Sequence, residues 1–283
     1  MVTLLVLVLS IGLLPLAVGL MILKPTDERT QVRATLGSIL LCALAFNLTF
    51  LWQELWLVIP KALTPGLHPV LYHNDHEWSG NAPVAELLQG SGAVATLISG
   101  LLFCVGLKLA SRPSATVRLF LFWMAFEGIF QALTQLAIGT LLPGNDVGRA
   151  LAYLQVSVPM RWAILALTIA AMGVAGIWLA RAYPTNLEPK PASRKFGASL
   201  LLTAMVAVLF IVPFRVPRNF AEVALIPLIV NFVGIGWVAL GAGLLPRQDR
   251  WPEPARPGVA GPSAALIATL LLFQLVLRPG VPF

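Results

Sequence analysis

The chain has 283 residues, of which 58% are hydrophobic and only 11% charged, and its mean hydropathy is +0.85. A soluble domain carries roughly 25% charged residues, so this composition excludes a water-soluble globular protein and implies a polytopic bundle of transmembrane helices. The net charge of +7 does not imply nucleic acid, because the basic residues sit in short loops beside apolar spans, where anionic lipid at the cytoplasmic face is the expected partner.

Continuous apolar runs, rather than an alternation of apolar and polar residues, argue for helices over a β-barrel. The runs predict eight spans in one all-α transmembrane domain covering 1–283: 3–23, 35–59, 84–109, 119–142, 159–182, 197–216, 221–245 and 263–279. No Lys or Arg precedes Lys24, so the first run lacks the basic start of a secretory signal and is expected to remain as a helix. Cys42 and Cys104 fall inside spans, which suits small buried hydrophobes and excludes a disulfide framework.

The second connection, residues 60–83, carries all three histidines within His68-Pro-Val-Leu-Tyr-His73-Asn-Asp75-His76-Glu-Trp78. Pro60, Pro65-Gly66 and Pro69 prevent a continuous helix there. His73 and His76 would share a face if their run made one helical turn. Asn81, Pro83 and Glu86 then suit the start of the third span. Clustered imidazoles with a carboxylate are the ligand set of a catalytic zinc site, or of another divalent transition metal. The expected ligands are His68, His73, His76 and Asp75, although no stringent metal motif is present.

Farther along, Glu54 lies near the outer end of the second span and Glu127 near the middle of the fourth. Gln131 and Gln135 follow Glu127 at helical spacing and form a polar stripe. Ionisable groups inside a span are costly and by default suggest function, so Glu54 and Glu127 are the candidate general acid or base. The fifth span carries Gly173 and Gly176, and the seventh Gly234, Gly236, Gly241 and Gly243, which suits close helix packing. The connections at 183–196 and 246–262 are Pro-rich and basic, with no visible catalytic content.

Orientation follows from the basic loops. Lys24, Arg29 and Arg33 lie in the first, Lys108, Arg112 and Arg118 in the third, and further groups in the fifth and seventh. The even connections hold only Lys61, Arg149, Arg161, Arg215 and Arg218. The odd loops are therefore expected to be cytoplasmic. Both termini and the histidine loop then lie outside, with a bacterial inner membrane as the expected location.

Three functional readings follow. One is a metal-dependent, membrane-embedded hydrolase acting on a lipid-linked molecule or a membrane peptide. Another is a proton-coupled transporter or channel, with Glu127 and the histidine loop as proton sites. The last is a non-catalytic subunit or assembly factor with partners in a membrane complex. No nucleotide, dinucleotide or Ser-hydrolase motif occurs.

Overall fold

A computed structural model describes residues 6, 9–23, 35–110, 114–183, 194–216, 219–245 and 257–283. A short apolar helix, α1 (Ser10–Ile22), comes first. Seven helices long and apolar enough to cross a membrane follow: α2 (Leu36–Ala62), α3 (Val84–Leu109), α4 (Ala115–Leu141), α6 (Val158–Ala182), α7 (Arg194–Phe214), α8 (Ala221–Leu244) and α9 (Ala260–Leu277). Between α4 and α6 lies a small helix, α5 (Asp146–Tyr153), whose start is capped by Asn145 accepting from the Gly148 N–H at 2.6 Å. These apolar helices define an integral membrane protein. Residues 3–5, 7 and 8 of the first expected span lie outside the described residues, as do the segments 24–34, 184–193 and 246–256, which hold many of the basic residues used for orientation.

Burial ranks the helices. The apolar window of α4 is 78% buried and that of α2 61%, whereas α3, α6 and α9 reach only 28%, 33% and 22%. The centre is therefore α4 against α2, with aromatic packing through Phe122, Trp123, Phe126 and Phe130. The outward faces of the other helices are apolar, as a lipid-facing surface requires. Close approach is set by small residues: a methyl on Gly128 of α4 would come within 2.6 Å of Gly100 Cα on α3. One on Gly241 of α8 would come within 2.5 Å of the Gly176 carbonyl carbon on α6. The glycines of the expected fifth and seventh spans thus meet each other.

The histidine-bearing connection forms a β-hairpin, and not the helical turn that would have put His73 and His76 on one face. Strand β1 (His68–Leu71) pairs antiparallel with β2 (His76–Ser79), with Leu71 opposite His76 and His68 opposite Ser79. Residues 72–75 make the turn, closed by the Tyr72 N–H donating to the Asp75 carbonyl at 2.9 Å. The chain's last strand, β3 (Val281–Pro282), pairs with the other edge of β1. The C-terminal strand and the hairpin therefore share one end of the bundle. Gly80 leaves β2 at φ +109°, and a side chain there would collide with the Gly66 carbonyl.

Candidate functional site

The hairpin lies over the ends of α2 and α3, and strand parity decides which side chains face inward. Leu71 and His76 are paired and both buried, while His68 and Glu77 are exposed. Side chains alternate faces along a strand, so His68 stands on the face opposite His76. It is also three register positions away, ~10 Å along the strand. His73 lies in the turn, buried and stacked on Phe273 of α9 at 4.8 Å between ring centroids. Among the described residues, no group of three His, Cys, Asp or Glu could hold a metal ion. The geometry thus does not gather His68, His73, His76 and Asp75 around one point.

His76 meets a different set of partners. Its Nδ1 lies 2.8 Å from Glu54 Oε2, and its Nε2 lies 3.0 Å from Gln89 Oε1. The Gln89 oxygen also accepts from Lys61 Nζ at 3.3 Å, which fixes it as the oxygen end of the amide. Both neighbours of the ring are therefore acceptors, so both ring nitrogens must donate. His76 is an imidazolium, buried at 9% exposure beside a carboxylate that is 4% exposed. Burial opposes the charge, but the hydrogen bond and the negative charge of Glu54 outweigh it and hold His76 above the ordinary value of 6.5.

The cluster extends on both sides. Lys61 is fully buried and donates to the Leu57 carbonyl at 2.7 Å. Trp78 stacks on His76 and receives Lys61 on its ring at 4.8 Å and Arg149 at 4.9 Å. Arg149 in turn grips Glu86 with two bonds of 2.6 and 2.7 Å. Glu86 thus serves as an ion-pair partner as well as the acidic residue of the first turn of α3, and Asn81 does not cap that helix. Asp146, at the start of α5, adds its charge to His76 through space, and its own carboxyl is pushed upward by burial.

Glu127 lies elsewhere. It is buried at 1% exposure in the middle of α4, with the Cys42 thiol 4.0 Å away and the Asn231 side chain beside it. Gln135, eight residues on, lies ~12 Å along the helix axis at about 1.5 Å per residue. Gln135 donates to Gln53 of α2 at 2.6 Å, and Gln53 precedes Glu54. Between these ends, neither amide atom of Gln131 has a hydrogen-bond partner, nor do the hydroxyls of Thr49 and Thr134 or the Asn231 oxygen. All four residues are at most 1% exposed. Buried polar side chains thus recur on the two most buried helices between the level of Glu127 and that of Gln53, the residue before Glu54.

A second buried pair lies on the far side of the turn. Arg215, just past α7, is 4% exposed and its guanidinium lies over Phe50 at 4.4 Å and Phe46 at 5.2 Å. Burial lowers it to about 10, still charged near neutral pH. His73 beside it is held down to about 4, first by burial and then by the Arg215 charge, and is neutral. Neither ring nitrogen of His73 makes a hydrogen bond of ordinary geometry, although the Phe214 carbonyl lies close enough to favour its protonated form.

Glu54 is expected beside the histidine loop from its place in the sequence, whereas Lys61, Gln89 and Arg215 are brought to the site only by the fold. Lys61 follows Glu54 by two helical turns, a spacing that puts both on one face. Gln89 and Arg215 carry no comparable signal. Comparison with protein families, with curated proteins and with solved structures finds no match.

Proposed function

We propose that this chain is a proton-handling membrane protein, a proton-coupled transporter or channel in which Glu54–His76 is the outer proton site and Glu127 the deep one. The observation that carries this reading is the recurrence of buried polar side chains on the two most buried helices. A buried polar atom without a partner costs about 1–3 kcal/mol, and ordered water is the usual remedy. Gln131, Thr134, Thr49 and Asn231 carry several such buried atoms, and we read them as one path between the two ionisable sites. Water held there would give a hydrogen-bonded route for protons. Intramembrane carboxylates that face a bundle interior commonly mark such routes.

The same reading puts the hairpin and both termini outside, the odd loops in the cytoplasm and the protein in a bacterial inner membrane. It also counts an eighth span, containing α1. The ligand geometry favours this reading over metal-dependent hydrolysis, because the Glu54–His76 contact uses the site as an acid–base pair.

The test is proton movement in proteoliposomes. The purified protein is reconstituted with a pH-sensitive dye inside, and a pH step is imposed under potassium–valinomycin clamp. The parent should collapse the gradient, and Glu127→Gln and Glu54→Gln should each slow the collapse at least about tenfold. A parent that leaves the gradient intact at either polarity, or folded variants that match it, would overturn the proposal.

A further inference from the structure

A buried charge is stable only when it is paired or well hydrogen-bonded. The basic groups at this end of the bundle obey that rule in different ways. Arg149 has Glu86, and Lys61 has the Leu57 carbonyl, Gln89 and Trp78. Arg215 is the exception among the described residues. No described carboxylate lies within the 4.0 Å of an ion pair, and its Nε has no hydrogen-bond partner. Glu54 and Asp75 act on it only from farther away, and Glu54 is already bonded to His76. Two phenylalanine faces attract a guanidinium but offer no acceptor for its N–H groups.

The surroundings are built rather than incidental. The Val216 N–H donates to Asn74 Oδ1 at 2.9 Å, tying the hairpin turn to the segment after α7. Gln274 of α9 donates to the Phe214 carbonyl at 2.6 Å. His73 stands against Phe273 on the same side, 2% exposed, and neither nitrogen makes a hydrogen bond of ordinary geometry, although the Phe214 carbonyl is near. A neutral imidazole has one N–H to give, and a guanidinium has a planar fork of donors that matches a planar oxyanion. We propose that Arg215 and His73 form a binding site for an oxyanion, a carboxylate or phosphate group, held by the Arg215 fork and one His73 N–H between the aromatic walls of Phe46, Phe50 and Phe273. The site uses different residues from the proposed proton sites, although the Glu54 charge acts on Arg215 through space.

Two sources could bring such a group: a free solute or an anionic lipid headgroup. The test measures the melting temperature of the full-length protein in neutral detergent with added inorganic phosphate, succinate or short-chain phosphatidylglycerol, with phosphatidylcholine as control. A ligand that binds only the folded state raises the melting temperature with concentration. At least one of the three anions should do so in the parent. Stabilisation by phosphate or succinate assigns a solute, and stabilisation by phosphatidylglycerol alone assigns a lipid. Arg215→Met should lose the shift entirely and, without anion, melt no lower than the parent, because it removes an unpaired charge. Arg215→Lys and His73→Leu should each need at least about tenfold more anion, since one loses the planar fork and the other a donor. If Arg215→Met fails to fold, the latter two variants decide. No shift with any anion, or equal shifts in the parent and the folded variants, would overturn the proposal and leave Arg215 held by its aromatic contacts alone.

Discussion

His73 and His76 stand three residues apart in one hairpin, and both are buried, yet they hold opposite charge states. His76 lies between two acceptors, Glu54 and Gln89, and is raised into the imidazolium form. His73 lies against Phe273 beside the Arg215 charge and is held neutral. Burial is common to both, so burial alone does not decide. The neighbour's charge and its capacity to accept a hydrogen bond do. This end of the bundle thus has an acid–base side around Glu54 and a basic side where, among the described residues, Arg215 has no carboxylate within 4.0 Å.

Removing the acceptor that makes His76 different should have the largest effect. Glu54→Ala leaves His76 and Lys61 buried without their carboxylate and should cost about 3–5 kcal/mol of stability. Denaturant unfolding in detergent would show this, and a loss below about 1 kcal/mol would mean the pair is not buried as described. As a control, Glu86→Gln breaks the Arg149 pair, whose side chains are 32% and 42% exposed. It should cost no more than about 1 kcal/mol.

The pH dependence sharpens the same contrast, with opposite signs for the two residues. The folded value of His76 is raised, so its contribution is fully present below 6.5 and fades as pH rises through the folded value. His73 is lowered from 6.5 to about 4, so its neutral form stabilises the fold above 6.5, and that stability is lost as pH falls toward about 4. The full shift corresponds to about 3 kcal/mol. His73→Phe should therefore remove much of the acid destabilisation between these values, whereas His76→Gln should remove stability mainly on the acid side of 6.5. Unfolding curves at several pH values would check both, and variants with the same pH profile would contradict the assignment.

Much of the bundle is legible in the sequence, because a membrane span must be long and apolar whatever it packs against. Seven of the expected runs are helices of sufficient length. The polar stripe of Glu127, Gln131 and Gln135 is likewise a matter of helical period. The hairpin is not legible in the same way. The strand β1 is completed by β3, which arrives from the far end of the chain, and the Phe283 N–H donates to the Pro69 carbonyl at 2.9 Å. Spacing alone put His73 and His76 on a common helical face, but pairing with β1 put His76 inward and left His73 in the turn. Asn145-Asp146 carried a legible helix start that reading for long spans passes over. Arg215 reads in sequence as one loop charge among several, and its isolation emerges only when the surrounding helices are assembled.

A continuous proton route between Glu127 and Glu54–His76 would have to pass Gln131. Gln131→Leu leaves both ionisable ends in place and replaces the unpartnered amide with a side chain of similar bulk. In reconstituted vesicles it should slow proton flux at least about tenfold while keeping or raising the melting temperature, since an unsatisfied buried amide is destabilising. Unchanged flux in a folded Gln131→Leu protein would mean that protons do not pass Gln131.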